Sequence, residues 1–541
     1  MSVVTDRRAV LGAGLAVLGA AAGGGLLAGC SSGRSARPTA PASSGLATRA
    51  GAPPALEPAQ SWDAFARRIS GQLVRPGDGG YDRARALVDP AFDTVRPQGV
   101  LYAAGAADVA EAVRFAGATG VALAARCGGH SYAGYSTSTG LVVDVTRMNQ
   151  VSVARDGTAT VGAGTRLLKL YTDLAGAGRA VGGGSCPTVG ICGLTLGGGI
   201  GVLGRLYGLT CDQLTGADVV LASGERLTVD ANHDADLFWA LRGGGGGNVG
   251  IVTEFRFATR PTRSLTLFSL RWPWSAAAEV LAGWQRWITG GLGQMPDTLW
   301  STAVAGAAFS GSPAGGSVPT LRVSGVFAGG PSGLAGPLAD LRAAVRSAAP
   351  LGTSIVEHDH LTAMRIEGGC SASGADCGSA AGISAGASRP GQKATSAILL
   401  KPVASTGIDV LTRTVEERLR DPLATASGGF ILDSWGGAIG RVGPAETAFV
   451  HRSAIASVQY FAGYPAGAAA EVVDAAHGWV RDLTAAVAPY VSDQAYQNYI
   501  DPELVDWPRA YYGANLPRLT AVKRHYDPNN LFHFPQSIPL D

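Results

Sequence analysis

Two glycine-rich loops of the sequence each carry one side chain that can form a covalent bond. Residues 126–134 read Arg-Cys-Gly-Gly-His-Ser-Tyr-Ala-Gly and contain His130, and residues 182–190 read Gly-Gly-Gly-Ser-Cys-Pro-Thr-Val-Gly and contain Cys186. Glycine lets a backbone approach a ligand closely and turn its N–H groups towards it, as a diphosphate requires. A pair of tight turns with an ordinary loop histidine and a buried thiol is the alternative. The joint placement of the two side chains favours a ligand site.

A third glycine pattern, Gly-Ile-Gly-Val-Leu-Gly at 199–204, fits the dinucleotide-binding fingerprint, and Asp218 stands about where a ribose-binding acid would be. That fingerprint has to open a helix directly after an apolar strand. Here the preceding residues form a glycine loop that contains Pro187. The pattern therefore does not indicate a nicotinamide-binding fold.

The elements that must position these loops follow from the spacing of apolar residues. Short apolar runs alternate with helical patterns over residues 98–258, which predicts an α+β domain. Apolar residues on one helical face predict a helix over 106–118, and Ser223-Gly224 predicts the turn of a hairpin over 217–229. Residues 263–490 combine Trp-rich strands with longer Ala-rich helices, which predicts a second domain with an antiparallel sheet.

Both loops resemble those of the berberine-bridge-enzyme-like oxidoreductases, in the vanillyl-alcohol-oxidase superfamily of flavoproteins. The resemblance covers nearly the whole mature chain in order, although Cys127 and Leu194 replace the small residue and the histidine that many members have. It implies an α+β, two-domain, PCMH-type FAD-binding fold with an FAD domain over 61–262, a substrate domain over 263–490 and a segment over 491–541 that returns to the FAD domain. The matching segments beyond the two loops are 207–209, 236–253, 436–439, 449–452, 496–499 and 512–536.

The same resemblance implies one FAD held by two covalent bonds. His130 would join the 8α-methyl group of the flavin and Cys186 its C6 atom. These positions are adjacent on the benzene edge, so the two bonds leave the other edge open to a substrate. The further cofactor-lining residues that it implies are Arg126, Gly128, Gly129 and Ser131 at the diphosphate, with Gly190, Gly193, Gly197, Gly198, Gly250 and Ile251.

The implied reaction is oxidation of an alcohol carbon, in which a hydride leaves for the flavin while a base takes the hydroxyl proton. The matching segments offer Tyr132, Tyr496 and Tyr499 as bases. A tyrosine of ordinary pKa, about 10, is ionised about once in a thousand at pH 7, so it needs a helper. Asp433 is the candidate helper or the alternative base. Any one of these tyrosines could instead only wall the pocket.

The resemblance also bears on the electron acceptor and the substrate. A valine at the position of Val189 is associated with oxidases and a leucine with dehydrogenases, so Val189 predicts an oxidase that uses molecular oxygen. The implied substrate is a small molecule, either a carbohydrate or a secondary metabolite. A flavin dehydrogenase with another acceptor is one alternative, and a non-catalytic solute-binding lipoprotein is another.

The N-terminus reads as a targeting segment. Arg7 and Arg8 precede about 20 apolar and small residues, a pattern that resembles a twin-arginine export signal. The sequence Leu-Ala-Gly-Cys at 27–30 resembles a lipobox in which Cys30 is acylated. A transmembrane anchor is the alternative, but the glycine content of the run argues against it. We therefore expect a signal over 1–30, a Ser/Pro/Ala-rich tether over 31–60, and an exported, extracellular or cell-surface lipoprotein.

Composition and cysteine usage narrow the remaining possibilities. The chain of 541 residues is long enough for two or three domains, and its net charge of +2 is spread over scattered residues, which gives no reason to expect nucleic acid. None of the seven cysteines stands at a metal-ligand spacing from another, so we expect no metal. Cys370 and Cys377 would close a small polar loop, and we predict that they form a disulfide.

Overall fold

The computed structural model of the chain describes residues 61–291, 295–308, 318–346, 348–374, 377 and 389–541. The signal, the lipobox Cys30 and the tether predicted for residues 1–60 lie outside these ranges. Helices and sheets are mixed throughout the described part, which confirms the α+β class.

In the described part of the chain, the strands form three larger sheets and one two-stranded ribbon. In chain order they are β1 (Gln72–Val74), β2 (Gly99–Tyr102), β3 (Leu123–Arg126), β4 (Leu141–Asp144), β5 (Val151–Val153), β6 (Thr158–Gly162), β7 (Arg179–Ala180), β8 (Leu214–Val220), β9 (Arg226–Val229), β10 (Ile251–Ala258), β11 (Arg260–Pro261), β12 (Leu265–Trp272), β13 (Leu299–Ala308), β14 (Val318–Phe327), β15 (Gly352–His358), β16 (Gly391–Leu399), β17 (Gly428–Ser434) and β18 (Ala456–Tyr464).

The helices fill the connections between these strands. In chain order the α-helices are Trp62–Arg68, Tyr81–Arg85, Ala106–Thr119, Leu167–Gly176, Ile191–Leu196, Gly204–Tyr207, Ala235–Ala240, Ala277–Ile288, Pro331–Ala344, His360–Glu367, Ser405–Arg420, Ala438–Arg441, Ala470–Val487, Trp507–Tyr512 and Leu516–Tyr526. Within the ranges that the structure describes, no helix has the length and apolar character needed to cross a bilayer.

Two sheets lie in the first half of the chain. The four-stranded sheet has the order β1-β2-β4-β3, with β4 parallel to both of its neighbours, and the five-stranded sheet has the antiparallel order β5-β6-β10-β8-β9. Every residue of β4 is buried, as expected for a strand covered on both faces. The predicted hairpin is confirmed, because β8 pairs with β9 around a turn in which Gly224 has φ +79°. The predicted helix is also confirmed and ends at Gly120, φ +68°.

The second half of the chain forms a seven-stranded antiparallel sheet of order β15-β12-β14-β13-β17-β18-β16. Its two faces differ because side chains alternate along each strand. One face carries Val323, Leu432 and Val458, which are buried together beneath the helices Ala277–Ile288, Ser405–Arg420 and Ala470–Val487. The opposite face carries Asp433, which lies in register with Thr302 on one side and Ser457 on the other. We call this opposite face, centred on Asp433, the polar sheet face.

The C-terminal segment packs on the first half of the chain. Leu519, Phe532 and Ile538 belong to the same apolar cluster as the strands and helices of residues 99–258. Lys523 is fully buried and holds this contact through its Nζ, which donates to Asp527 at 2.6 Å and to the carbonyl oxygens of Asn248 and Phe532 at 2.8 and 2.7 Å. A buried ammonium needs such complete pairing, so this arrangement fixes the segment in place.

Candidate functional site

The two glycine-rich loops meet at one hydroxyl group. Thr188 Oγ1 lies 2.8 Å from His130 Nε2 and 3.5 Å from Cys186 Sγ, so the two side chains predicted to bind the flavin converge on the same point. The loops also touch through their backbones, because a Cβ at Gly128 would lie 2.5 Å from the nitrogen of Gly190. Glycine is therefore required for this approach.

A helix holds the loop that carries Cys186. At the start of the helix Leu167–Gly176, the backbone N–H groups of Leu167 and Leu168 donate to the carbonyl oxygens of Val189 and Pro187 at 3.0 and 3.1 Å. Tyr171, from the next turn, donates its hydroxyl hydrogen to the Gly184 carbonyl. The half-buried Val189 is thus fixed within three residues of Cys186.

The chemistry of these side chains fits a covalently bound flavin. Burial, with a smaller effect of the Arg166 charge, lowers the pKa of His130 to about 4, so its imidazole is neutral at pH 7 and has a nucleophilic nitrogen. The thiol of Cys186 is half-buried within reach of the same hydroxyl. At Gly193, which is exposed, a Cβ would meet no atom within 4 Å, so open space lies beside this part of the loop.

Several residues predicted to line the cofactor have protein partners. The guanidinium of Arg126 forms a buried ion pair with Asp144 at 2.7 Å and donates to the Ala84 carbonyl, while its Nη1 has no hydrogen-bond partner among the described residues. Ser131 Oγ accepts a hydrogen bond from the N–H of Tyr135 at 3.1 Å.

The small size of three other glycines serves contacts within the protein. A Cβ would lie 2.0 Å from Asn498 Oδ1 at Gly197, 2.7 Å from the Phe449 ring at Gly198 and 2.7 Å from Val219 Cγ2 at Gly250. Ile251 is buried at the start of β10, where it pairs with Val220. Part of the glycine pattern therefore reflects packing beneath the site.

The three candidate tyrosines form one aromatic cluster. The rings of Tyr132 and Tyr499 are stacked with centroids 5.7 Å apart, and the ring of Tyr496 meets that of Tyr499 edge-on at 5.1 Å. The hydroxyl of Tyr132 accepts a hydrogen bond from Gln459 Nε2 on the polar sheet face at 2.9 Å. Burial raises the pKa of Tyr132 and of Tyr496 to about 12. Burial, together with the charge of Asp433, raises the pKa of Tyr499 well above its ordinary value.

Asp433 lies close enough to Tyr499 for its charge to act on it, and Glu367 stands in the same relation to Asp433. Burial raises the pKa of Asp433 to about 6. Glu367, the last residue of the helix His360–Glu367, has its pKa raised to about 7 by burial, while the charge of Arg322 opposes that shift and the charge of Asp433 adds to it. The structure therefore brings Asp433 together with Tyr499, as the sequence suggested, and adds Glu367.

A disulfide-closed turn lies next to the Cys186 loop. The structure places Cys370 and Cys377 in a disulfide with Cα atoms 5.2 Å apart. At Gly368, which leads into this turn, a Cβ would lie 2.8 Å from the carbonyl oxygen of Ser185. The turn thus approaches the residue before Cys186.

Sequence reasoning missed four residues of the site, namely Thr188, Glu367, Gln459 and Asn498. Thr188 stands two residues after Cys186 in a loop that was already singled out, and this spacing was the available signal. Asn498 lies within the segment 496–499, which was also singled out, whereas Glu367 and Gln459 reach the site through the end of a helix and through strand register, which no local pattern indicates. Among the described residues, no group of three or more His, Cys, Asp or Glu side chains could hold a metal ion.

Comparisons with known proteins agree with this geometry. Residues 97–230 match the family described as "FAD binding domain", and residues 495–539 match the family described as "Berberine and berberine like". The Bacillus subtilis protein "Uncharacterized FAD-linked oxidoreductase YgaK" is 30% identical over 480 residues, which cover 87% of this chain and 97% of that protein. The xylooligosaccharide oxidase of Thermothelomyces thermophilus is 31% identical over 467 residues, or 82% of this chain and 87% of its own.

A solved structure shows the same fold. The structure of Physcomitrella patens BBE-like 1 superposes with a TM-score of 0.77 at 29% identity, and the match covers 88% of this chain and 99% of that one.

Proposed function

The chain belongs to the berberine-bridge-enzyme-like family of FAD-linked oxidoreductases, and we propose that it is an oxidase that binds FAD covalently through His130 and Cys186 and oxidises an alcohol carbon of a carbohydrate. The family resemblance, the PCMH-type fold and the assignment as an FAD-dependent oxidoreductase are confirmed. The observation that carries the proposal is the convergence of His130 Nε2 and Cys186 Sγ on the Thr188 hydroxyl, beside the tyrosine cluster and Asp433.

The proposed attachment follows from the state of the two side chains. A neutral imidazole can attack an electrophilic carbon, and the low pKa of His130 keeps it neutral. Because the Thr188 hydroxyl engages Nε2, we assign Nδ1 to the flavin bond. The Thr188 hydroxyl then fixes the orientation of the His130 imidazole, and the same oxygen lies 3.5 Å from the Cys186 sulfur.

Bound FAD would supply the acceptor for the hydride and pass the two electrons on to molecular oxygen. The chain has to take the hydroxyl proton of the substrate. At pH 7 a tyrosine with a pKa of about 12, as for Tyr132 and Tyr496, is ionised about once in 100,000, and burial raises the pKa of Tyr499 well above its ordinary value as well. The Asp433 carboxyl, with a pKa of about 6, is about nine-tenths ionised. We therefore assign Asp433 as the final acceptor of the proton and the Tyr499 hydroxyl as the group that passes the proton to it.

The choice of a carbohydrate rests on the polar sheet face and on the relatives. Asp433, Thr302 and Gln459 give the polar sheet face carboxylate, hydroxyl and amide groups beside the tyrosine cluster, and such groups suit a ligand rich in hydroxyls. Aromatic rings such as those of Tyr132 and Tyr499 offer flat apolar surfaces to a sugar ring. Relatives of this chain carry the names xylooligosaccharide, chitooligosaccharide and glucooligosaccharide oxidase.

The attachment can be tested by acid precipitation. We expect the unmutated protein to keep its yellow colour in the pellet, each of His130→Ala and Cys186→Ala to retain the flavin through one bond, and the double variant to release it. Cys192→Ala is the matched control, because it removes another half-buried free thiol from the neighbouring helix and should change nothing. Free FAD in the supernatant of the unmutated protein would contradict the proposal.

The reaction can be tested with a panel of mono- and oligosaccharides and other small alcohols, by measuring hydrogen peroxide release. We expect peroxide with at least one sugar that has a free anomeric hydroxyl. Turnover of non-sugar alcohols alone would assign the enzyme to secondary metabolism. Electron transfer to a dye or quinone without peroxide would make it a dehydrogenase.

We also propose twin-arginine export and acylation of Cys30, on the basis of the sequence of residues 1–30. Replacing Arg7 and Arg8 by lysine should retain the protein in the cytoplasm. Cys30→Ala should abolish acylation and release the exported protein from the membrane, since a diacylglycerol group supplies the two chains that stable anchoring needs. Intact-mass analysis of the mature protein checks both, and an unmodified N-terminus elsewhere would contradict the acylation.

A further inference from the structure

The hydroxyl oxygen of Tyr496 receives three N–H groups. The backbone N–H groups of Gly199 and Ile200 donate to it at 3.0 and 3.3 Å, and the side-chain amide of Asn498 donates at 2.8 Å. Tyr496 is only 2% exposed, so this oxygen is enclosed by protein. The other two members of the tyrosine cluster are half-buried.

The orientation of the Asn498 amide is fixed by a second contact. Its Nδ2 also donates to the carbonyl oxygen of Leu194 at 3.0 Å. A rotated amide would place its own oxygen against that carbonyl oxygen, where two acceptors would face each other. The NH2 group therefore bridges Leu194 and Tyr496, and the third group at the phenolic oxygen is a donor like the other two.

This arrangement joins two segments that are about 300 positions apart in the sequence. On one side lies the loop through Gly198 and Gly199, whose φ values of +115° and +86° require glycine. On the other lies the turn Gln497–Tyr499, in which the N–H of Tyr499 donates to the Tyr496 carbonyl at 2.8 Å. The phenolic oxygen of Tyr496 thus links the glycine loop to the backbone that carries Tyr499.

Tyr496 is also held from the side of the seven-stranded sheet. Its backbone N–H donates to Ser396 Oγ at 3.0 Å, and its ring packs against Trp435 and Phe449 at centroid distances of 6.4 and 6.0 Å. A residue fixed on every side in this way cannot swing towards a substrate. It can hold its neighbour in one position against the Tyr132 ring.

We propose that Tyr496, together with Asn498, is a positioning residue that sets the place of the Tyr499 hydroxyl. This inference rests on the proposed function, in which Tyr499 handles the substrate proton. It assigns Tyr496 a positioning role instead of that of a base, with its phenolic oxygen as the acceptor for three N–H groups. Displacing a reacting group by about 1 Å can lower a rate about 100-fold, so the clamp formed by these hydrogen bonds matters for turnover.

The test compares Tyr496→Phe with Tyr511→Phe in the flavin-loaded protein. Tyr511 is the matched control, because it is 1% exposed and its hydroxyl accepts a single backbone N–H, that of Asp501, at 2.9 Å. Asn498→Ala is the second variant, in case Tyr496→Phe fails to fold. It removes one of the three donors and leaves the phenol in place.

Hydrogen exchange followed by mass spectrometry gives a readout that needs no substrate. Tyr496→Phe should accelerate exchange in peptides covering 197–200 and 497–500, while Tyr511→Phe should leave those peptides unchanged. Turnover gives the second readout, in which kcat of Tyr496→Phe should fall about 10- to 100-fold with KM changed less than about threefold. Asn498→Ala should show both effects to a smaller extent.

Unchanged exchange in both peptides would overturn the inference. Faster exchange with kcat within about twofold of Tyr511→Phe would also overturn it, because the clamp would then be structural only. Absence of turnover by the unmutated protein on every alcohol tested would contradict the proposed function instead, and the exchange comparison would then decide whether the clamp exists.

Discussion

The cofactor side and the substrate side of the candidate site are built in different ways. On the cofactor side, two loops only nine residues long bring His130 and Cys186 to one hydroxyl, and the contacts are mostly backbone contacts that glycine permits. On the substrate side, Asp433 takes its place from the register of three strands, with Thr302 and Ser457 as its neighbours. The first side is specified by local sequence, and the second by long-range pairing.

This difference explains which amino-acid substitutions each side can tolerate. Where the backbones of the two glycine loops approach each other closely, no space remains for a side chain, so a larger residue would clash with the neighbouring backbone. A polar sheet face presents side chains that can be exchanged while the apolar face beneath keeps the sheet intact. We therefore expect the cofactor side to be uniform within the family and the substrate side to determine which alcohol is accepted.

The largest effect on turnover is expected on the substrate side, from the substitution Asp433→Asn. The amide cannot accept the proton, and general acid–base catalysis is worth about 100- to 10,000-fold, so kcat should fall by at least about 100-fold. Flavin content should stay the same, because the attachment site is separate. Asp409→Asn, on the exposed face of the helix Ser405–Arg420, is the control. A kcat within tenfold of the unmutated enzyme would show that Asp433 is not the proton acceptor.

The pH dependence should separate the two carboxyl groups of the substrate side. Because burial raises the pKa of Asp433 to about 6, its carboxylate predominates above that pH and is lost below it. The value of kcat/KM should therefore fall about tenfold per pH unit below about 6. Glu367→Gln should keep this acidic limb, since Glu367, with a pKa of about 7, has no assigned proton-transfer role. If the acidic fall of kcat/KM disappears in Glu367→Gln, then Glu367 and not Asp433 is the proton acceptor.

Much of the fold could be predicted from the sequence where the signal was local. The helix Ala106–Thr119 and the hairpin of β8 and β9 came from periodicity and a Ser-Gly turn, and both loops came from their glycines. The ion pair between Arg126 and Asp144 could not be predicted, because nothing near Arg126 in the sequence indicates a buried partner on a neighbouring strand. Glu367 and Gln459 were missed for the same reason, since only the folded chain brings Gln459 to Tyr132 and Glu367 close to Asp433.

A smaller effect is expected on the cofactor side from Val189→Leu. The Val189 backbone is fixed by the N–H of Leu167, so an added methylene cannot be relieved by moving the loop and has to fill space beside the attachment site. We expect the rate with oxygen to fall about tenfold while the rate with an artificial dye changes less than about twofold. Val189→Ala is the control for loss of packing. Equal losses with oxygen and with dye would show that this position affects substrate oxidation and not the acceptor.

The smallest effect is expected from the disulfide-closed turn, which approaches the cofactor side at Gly368 and the carbonyl of Ser185. A loop closed over a sequence separation of 7 restricts the unfolded chain modestly, so replacing Cys370 and Cys377 by serine should cost about 2.5 kcal/mol of unfolding free energy. Flavin retention and kcat should stay within about twofold, because the helix Leu167–Gly176 and Tyr171 hold the Cys186 loop independently. Denaturant unfolding of the double serine variant measures the unfolding free energy, and the colour of the acid-precipitated pellet measures flavin retention. If the variant folds stably but loses the flavin bond at Cys186, then the turn is part of the attachment machinery, and the cofactor side depends on long-range contacts as the substrate side does.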